Sequence, residues 1–356
     1  MRILTVVGNR PQFVKAAAVS RRLRAVHEEV LVHTGQHHDD DLSAVFFREL
    51  DLPAPDHWLG VGGATNTSQL GRMLVAVEPV VAGCVPDAVL VYGDTNSTLA
   101  GALAAADRGV PVVHVEAGMR SFDRTMPEER NRVLTDQLAT LLLCSSAVGA
   151  GNLRREGAPG RAEVVGDVMV DVARDVQPRA RRRPEPLAEA GVRPGAYVLA
   201  TAHRAANVDD PARLELLVEL LEAVELPVVL PLHPRTRARA REAGLDERLG
   251  RAARLLGPLG YLDFTALLCQ ARAVLTDSGG VQKEAYLAGV PCVTLREETE
   301  WVETVAAGWN TLVGLDPRAA RAALAAPAPE DRPELYGDGR AGERVVAAIG
   351  RLPGPG

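Results

Sequence analysis

The chain has 356 residues, of which 47% are hydrophobic and 4% aromatic, and its formal net charge is −6 at pH 7. This length usually corresponds to two domains, and the hydrophobic content is sufficient for packed cores. The negative charge argues against a nucleic-acid-binding protein, which would normally present a basic face. The four cysteines form no CxxC pair and no run of 18 apolar residues occurs, so we expect a cytoplasmic protein with reduced thiols and no membrane span.

Short apolar strands alternate with amphipathic helices along the whole chain. Strands are predicted at 2–7, 30–33, 88–92, 112–115, 141–144, 163–165, 197–201, 228–232, 254–256, 273–276, 292–295 and 311–313. Helices are predicted in most of the intervals, including 95–108, 128–140, 211–222 and 281–288. This alternation predicts an α/β protein with parallel sheets that are covered by helices on both faces.

One segment interrupts this pattern. Residues 177–194 are rich in arginine and proline, which predicts a solvated linker between domains. We therefore expect an N-terminal Rossmann-like domain over residues 1–172 and a C-terminal one over residues 195–335, with a last helix at about 338–352 that Asp338 caps. Two such domains normally face each other across a cleft, into which the carboxyl ends of their strands point.

The loop after the first strand carries two cations, Arg10 and Lys15, where an open α/β sheet binds anions. The chain has only two lysines, Lys15 and Lys283, while every other basic residue is arginine. A lysine in this loop therefore suggests a specific task for a compact ammonium group. The alternative is that Lys15 is an ordinary surface residue in the first turn of a helix.

Three carboxylates are predicted at the same edge of the first sheet. Asp94 follows strand 88–92, Glu116 directly follows strand 112–115, and Glu128 begins the predicted helix 128–140. Helix capping could explain Asp94, and helix initiation could explain one of Glu128 and Glu129. A cluster of carboxylates beside two cations can nevertheless divide acid and base roles among its members.

The second half supplies candidate phosphate ligands. His203 and His233 each lie just after the end of a predicted strand. Arg204 follows His203 directly, and Arg235 lies two residues after His233. Ser278-Gly279-Gly280 begins a helix, where exposed backbone N–H groups bind phosphate. Glu284 lies on the same helix and would suit the hydroxyls of a ribose.

Residues 37–41, His-His-Asp-Asp-Asp, could suggest a metal site. Consecutive side chains do not point in one direction, and an acidic helix start explains them better. We expect no metal and no cofactor.

Seven motifs in this order closely resemble those of the non-hydrolysing UDP-N-acetylglucosamine 2-epimerases, over residues 2 to about 315. They are Gly8-x-Arg10-Pro11-x-x-x-Lys15, Gly93-Asp94-Thr95, His114-Val115-Glu116-Ala117-Gly118, Pro127-Glu128-Glu129-x-Asn131-Arg132, His203-Arg204, Asp277-Ser278-Gly279-Gly280-x-Gln282-x-Glu284 and Thr299-Glu300. The resemblance implies two Rossmann-like domains in a GT-B-type arrangement, with the last helix returning to the first domain.

The resemblance also implies an isomerase that interconverts UDP-N-acetylglucosamine and UDP-N-acetylmannosamine, through elimination of UDP to 2-acetamidoglucal and re-addition. It would supply activated sugar for cell-surface polysaccharide. The implied acid/base groups are Asp94, Glu116 and Glu128, with His203 in the catalytic set. The implied substrate ligands are Arg10, Lys15, His203 and His233 with Ser278, Gly279 and Gly280 for the diphosphate, Glu284 for the ribose, and Leu259 and Phe264 beside the uracil, although the last two could be ordinary core residues.

Some residues depart from the family pattern, namely Asn9, Gln12, Ala206 and the run Trp301-Val302-Glu303. None of them removes a proposed catalytic group, but they leave open an altered sugar. A hydrolysing epimerase that releases N-acetylmannosamine, a GT-B glycosyltransferase and a binding-only sensor remain alternatives. The expected partners are a UDP-sugar and a second copy of the chain, and neither nucleic acid nor membrane.

Overall fold

The computed structural model describes residues 1–36, 40–63 and 65–353. The chain divides into two compact units, here called unit 1 (Met1–Val172 and Tyr336–Gly356) and unit 2 (Ala173–Leu335). Each unit contains one parallel sheet with helices, so the predicted α/β class is confirmed. None of the helices in the described ranges is both long and apolar enough to cross a lipid bilayer.

Within its described residues, unit 1 contains a sheet of seven strands. The elements of its first part are β1 (Arg2–Val7), α1 (Arg10–Arg24), β2 (Glu28–His33), α2 (Asp40–Glu49), β3 (His57–Trp58), α3 (Asn66–Cys84), β4 (Ala88–Tyr92), α4 (Asn96–Asp107), β5 (Val112–Val115), α5 (Pro127–Leu138), β6 (Leu141–Cys144), α6 (Ala147–Glu156), β7 (Arg161–Val164) and α7 (Val168–Ala180), the last of which continues into unit 2. The central strands are buried on both faces, which explains their continuous runs of valine and leucine.

The strand order of this sheet is β3-β2-β1-β4-β5-β6-β7, and every pair is parallel. The order reverses between β1 and β4. In open parallel sheets, ligands bind beyond the carboxyl ends of the strands at such a reversal point. The loop that follows β4 carries Asp94. Lys15 lies in the second turn of α1, the helix that follows β1, and not in the loop before that helix as predicted from the sequence.

Unit 2 repeats this architecture with six strands. Its elements are α8 (Glu185–Ala190), β8 (Val198–Thr201), α9 (Ala205–Val208), α10 (Pro211–Glu222), β9 (Val228–Pro231), α11 (Pro234–Glu242), α12 (Asp246–Ala252), β10 (Arg254–Leu256), α13 (Tyr261–Gln270), β11 (Ala273–Thr276), α14 (Gly279–Ala288), β12 (Cys292–Thr294), α15 (Val302–Ala306), β13 (Asn310–Leu312) and α16 (Pro317–Ala325). The parallel order β10-β9-β8-β11-β12-β13 reverses between β8 and β11.

The segment 177–194 is not a solvated linker, contrary to the sequence-based expectation. It contains the end of α7 and the whole of α8. Pro186, Leu187 and Ala190 are buried, and Leu187 and Ala190 belong to a core cluster of unit 2. Arg181 donates hydrogen bonds from its guanidinium to the carbonyls of Cys269 and Ala288. Arg183 pairs with the Asp263 carboxylate, so two arginines of this segment have partners in unit 2 instead of only facing water.

The last helix, α17 (Ala341–Ile349), is shorter than predicted and belongs to unit 1. Asp338 is not its N-cap, because the Asp338 carboxylate pairs with Arg344 and accepts the N–H of Arg340, which itself precedes the helix. The cap comes instead from α7, where the two carboxylate oxygens of Asp171 accept the N–H groups of Ala341 and Gly342 at 3.0 and 3.1 Å. Helix α17 packs against α1.

Candidate active site

The loop after β1 is fixed by Gln12, whose side chain is buried. Its Oε1 accepts the N–H of Gly8 at 2.8 Å, and its Nε2 donates to the carbonyl of Tyr92 at 2.9 Å. Gln12 therefore joins the loops that follow β1 and β4, the two strands at the reversal point. Gly8 is required here, because a Cβ atom at this position would lie 2.0 Å from the Oγ of Ser97.

Lys15 and Glu116 form an ion pair beyond these strands. Lys15 Nζ lies 2.5 Å from Glu116 Oε1, and the two side chains are only 12% and 9% exposed. The ideal Cβ position of Gly93 lies 3.0 Å from the same ammonium. Lys15 is therefore close to the loop after β4, which contains Gly93, and to the loop after β5, which contains Glu116. Glu116 has a φ of 71°, a left-handed backbone conformation that is strained for a residue with a side chain. Strain of this kind is found most often at functional positions.

Asp94 forms a second ion pair, with the buried guanidinium of Arg132. Another arm of the same guanidinium, Nη1, lies 3.1 Å from Glu129 Oε2. The Glu129 carboxylate in turn accepts the backbone N–H groups of Ser121 and Phe122. Of the two adjacent glutamates at the start of α5, Glu129 thus has the structural task, which leaves Glu128 for another.

Glu128 differs from the other two candidate carboxylates in its surroundings. It is the second residue of α5 and is half-buried. Within residues 1–36, 40–63 and 65–353, its carboxylate has no ion pair or hydrogen bond. Asp94 and Glu116 therefore each lie beside a cation, whereas Glu128 has no cation partner among the described residues.

Arg10 is the first residue of α1, and its guanidinium lies 5.6 Å from the centre of the Phe46 ring. Neither Arg132 nor Gln12 was predicted to belong to the site. The spacing of Arg132 three residues after Glu129, on one face of a helix, was the available signal for the ion pair. No sequence pattern indicated the partners of Gln12.

In unit 2, a buried carboxylate organises the loop after β8. Asp277 accepts the backbone N–H groups of His203 and Arg204 and the side-chain amide of Asn207. The His203 side chain is 44% exposed, with Nδ1 3.7 Å from Asp277 Oδ1. His203 and Asp277 therefore meet at the reversal point between β8 and β11. Asp277 belongs to a motif seen in the sequence, but its contact with His203 was not predicted.

His233 lies near His203, with the two ring centres 6.0 Å apart. It is the N-cap of α11, and its Nδ1 accepts the N–H of Arg235 at 3.2 Å. The ring thus has a structural task as a cap. Its predicted contact with substrate remains a prediction.

The N-terminus of α14 follows directly after β11. Thr276 pairs with Thr201 in the parallel register, so that Ser278 and His203 lie at equivalent positions two residues beyond. Gly279 approaches the Glu300 carboxylate, since a Cβ atom would lie 2.3 Å from Oε1. At Gly280 the nearest atom to a Cβ would be Ser278 Oγ at 3.9 Å, which leaves open space at the helix start.

Glu284 points toward Tyr261, whose hydroxyl forms a hydrogen bond with it. Burial, and then the Glu284 charge, raise the pKa of Tyr261 well above its ordinary value. Tyr261 therefore stays protonated and donates to Glu284. Leu259 and Phe264 are half-buried against the core of unit 2, so packing explains part of each side chain.

Among the side chains that the structure describes, no group of three or more His, Cys, Asp or Glu residues is arranged to hold a metal ion. His37, His38 and Asp39 lie outside the described residues.

Comparison with known proteins identifies the family. A sequence model of the family UDP-N-acetylglucosamine 2-epimerase matches residues 21–350. The chain is 46% identical to a UDP-2,3-diacetamido-2,3-dideoxy-D-glucuronate 2-epimerase of Pseudomonas aeruginosa, over 99% of this chain and 100% of the relative. It is 39% identical to the UDP-N-acetylglucosamine 2-epimerase of Methanocaldococcus jannaschii, over 98% and 99% of the two chains.

Solved structures give the same result. The crystal structure of the Methanocaldococcus jannaschii UDP-GlcNAc 2-epimerase in complex with UDP-GlcNAc and UDP matches with a TM-score of 0.92 and 38% identity, over 98% of this chain and 99% of that one. The expectation from the sequence motifs is therefore confirmed at the level of the family. The chain belongs to the UDP-N-acetylglucosamine 2-epimerase family.

Proposed function

We propose that the protein interconverts UDP-N-acetylglucosamine and UDP-N-acetylmannosamine without net hydrolysis. The observation that carries this proposal is the set of three carboxylates in unit 1 with different charge environments. Asp94 lies beside Arg132 and Glu116 beside Lys15, whereas Glu128 has no cation partner within the described part of the chain. Inversion at a carbon needs one group to remove a proton and another to return it from the opposite face, so at least two carboxyl groups are required.

The chemical steps balance without any oxidant or reductant. A carboxylate takes the proton from C2 while the C1–O bond breaks, and UDP leaves with the bonding electrons to give 2-acetamidoglucal. A carboxylic acid then protonates C2 from the other face, and a phosphate oxygen of UDP re-forms the bond to C1. Positive charge develops at C1 during both steps, and the ionised carboxylates would stabilise it.

Unit 2 is proposed to bind UDP. The N-terminus of α14 at Ser278–Gly280 supplies N–H donors to the diphosphate, and His203, at the adjacent strand end, supplies a further donor. Glu284, with Tyr261 donating to it, would accept hydrogen bonds from the ribose hydroxyls. Arg10 and Lys15 of unit 1 are proposed to neutralise charge on the leaving diphosphate.

Incubation in deuterium oxide tests this proposal. With UDP-N-acetylglucosamine as substrate, we expect deuterium at C2 in both epimers, detected by proton NMR and mass spectrometry. Asp94→Asn, Glu116→Gln and Glu128→Gln should each lower turnover by about 100-fold or more while UDP affinity is retained. Asp107→Asn, at an exposed position of the same unit, is the matched control and should leave turnover unchanged. Absence of exchange with the authentic substrate would refute the epimerase proposal.

A second candidate differs in the sugar. The Pseudomonas aeruginosa relative, named for a diacetamido-glucuronate substrate, is 46% identical, compared with 39% for the Methanocaldococcus jannaschii enzyme. Parallel assays with UDP-N-acetylglucosamine and UDP-2,3-diacetamido-2,3-dideoxy-glucuronate would rank the two sugars by kcat/KM. Release of free N-acetylmannosamine would instead identify the hydrolysing reaction.

The oligomeric state, the location and the pathway of the protein also stay predictions, namely a homodimer, the cytoplasm and polysaccharide synthesis. Light scattering after size-exclusion chromatography would test the dimer.

A further inference from the structure

A buried polar cluster lies beneath the acid/base loops of unit 1 and takes no part in the steps above. Its centre is Asp136 of α5, which is fully buried. Asp136 Oδ1 lies 2.7 Å from His114 Nδ1, and Oδ2 accepts from Arg120 at 2.8 Å and from the N–H of Gly118 at 3.2 Å. The guanidinium of Arg120 also forms a two-point ion pair with Glu156 at 2.9 and 2.6 Å.

His114 connects this cluster to the loop after β4. Its ring is fully buried, and Nε2 lies 2.7 Å from the carbonyl oxygen of Gly93. Both ring nitrogens thus face atoms that accept, namely the Asp136 carboxylate, which also accepts from Arg120 and Gly118, and a peptide carbonyl. A neutral imidazole has one N–H and could satisfy only one of them. Both contacts are hydrogen bonds at the same time only in the imidazolium form, in which both nitrogens donate.

The charges of the cluster agree with this protonation state. The titratable and charged groups near His114 and its partner are Asp136, Arg120, Glu156 and the Cys144 thiol, which burial keeps neutral by raising its pKa. With His114 protonated, two negative charges meet two positive charges. A buried cluster with balanced charge and satisfied hydrogen bonds is far less costly than one with an unpaired charge.

The cluster holds the backbone on both sides of the candidate acid/base pair. Through His114 it binds the carbonyl of Gly93, immediately before Asp94, and through Asp136 it binds the N–H of Gly118, two residues after Glu116. The strained backbone of Glu116 needs such external support to persist. A side chain in an active site keeps its position only when the groups behind it are fixed.

We propose that protonated His114, held by Asp136, is a positioning residue that sets the separation between the Asp94 and Glu116 carboxylates. This inference rests on the proposed function of those two carboxylates. A purely structural role would affect turnover only through the stability of the fold. In the role proposed here, turnover depends in addition on the hydrogen bond from His114 Nε2 to the carbonyl of Gly93.

Two amide substitutions separate these roles. In His114→Asn the amide nitrogen takes the place of Nδ1 and keeps the bond to Asp136, while the bond to Gly93 is lost. In His114→Gln the longer side chain places its amide nitrogen near the position of Nε2 and can still reach the carbonyl of Gly93. Both variants remove the ring and its charge, so a merely structural role predicts similar losses of stability and of activity in both.

We expect His114→Asn to lower kcat by roughly 10- to 100-fold, because small misplacements of reacting groups have effects of this size. His114→Gln should retain at least several-fold more activity, with KM and the Kd for UDP near wild-type values in both. Equal kcat values for the two variants, at whatever level, would overturn the proposal. If His114→Asn does not fold, the NMR measurement below decides instead.

Nitrogen-15 NMR of histidine-labelled wild-type protein tests the protonation state without any substrate. At pH 7, the resonances that disappear in His114→Gln should show two protonated ring nitrogens. A single N–H on that ring would overturn the proposal. Failure of the wild-type enzyme to exchange the C2 proton would refute the proposed function alone, because this NMR result does not depend on it.

Discussion

Replacing Gly118 by alanine should destabilise unit 1 more than any ordinary glycine substitution would. Gly118 has a φ of 79°, and a Cβ atom there would lie 2.3 Å from the carbonyl oxygen of Gly149 and 2.6 Å from its carbon. The left-handed backbone alone costs alanine about 1–2 kcal/mol. The lower entropy of the unfolded alanine chain offsets about 0.5 kcal/mol of this. The contact with Gly149 requires backbone movement, which adds about 1–3 kcal/mol.

Gly109→Ala is the matched control, because Gly109 has a φ of 67° and no atom within 4 Å of its Cβ position. It bears the backbone cost without the clash. We expect a loss of about 1 kcal/mol for Gly109→Ala and about 2–4 kcal/mol for Gly118→Ala, measured by urea unfolding followed by circular dichroism. Equal stability of the two variants would refute the argument that close packing of Gly118 on Gly149 fixes this loop.

Three further predictions concern a strained residue, a buried acid and the thiols. Phe122 is 70% exposed and has a φ of 64°, a backbone conformation that glycine adopts more easily than alanine. The Phe122→Gly variant should therefore have a free energy of unfolding about 0.5–1 kcal/mol higher than that of Phe122→Ala. A lower value for Phe122→Gly would contradict the presence of backbone strain. Burial alone would raise the pKa of Asp136, but His114 and Arg120 hold this pKa below its ordinary value. The ionised carboxylate therefore stabilises the folded protein above roughly pH 4, and this contribution is lost as the pH falls through the pKa of Asp136 in the folded state. Thermal unfolding of Asp136→Asn should therefore show a lower Tm than wild type at pH 7 and a smaller decline in acid; parallel curves would contradict this. Burial raises the pKa of the Cys144 thiol to about 12, and it also raises the pKa values of the buried Cys269 and Cys292 thiols. Ellman's reagent should therefore modify only the partly exposed Cys84 before the protein unfolds. Rapid reaction of a second thiol would contradict this prediction.

Most of the fold could be predicted from the sequence because the strands are buried on both faces. Such strands are continuous runs of valine and leucine, and several predicted ranges, including Ala88–Tyr92 and Leu141–Cys144, agree with the structure residue for residue. Strand β3 was missed because it has two residues, both exposed. The segment 177–194 was predicted wrongly because charge suggested solvent, whereas Arg181 binds two backbone carbonyls, Arg183 pairs with Asp263, and Leu187 and Ala190 lie in a core cluster.

The site could be predicted only as far as strand ends determine it. Parallel strands bring Asp94 and Glu116 to one edge, and Lys15 to the start of the helix that follows β1, whatever the details of packing. The partners of these groups depend on how helices pack, which local sequence does not encode. Arg132 reaches Asp94 only because α5 lies beside the β4 loop, and Asp277 holds the His203 loop only because β11 pairs with β8.

The return of α17 to unit 1 affects the order of folding during synthesis. Residues 173–335 emerge from the ribosome as a complete unit while the earlier one still lacks its final helix, along with the N–H groups that satisfy Asp171. In an unfinished chain the Asp171 carboxylate therefore lacks these two donors, and the side of α1 that contacts α17 is uncovered. The half that is synthesised first is therefore the half that matures last, and nascent chains arrested before residue 341 should depend on chaperones.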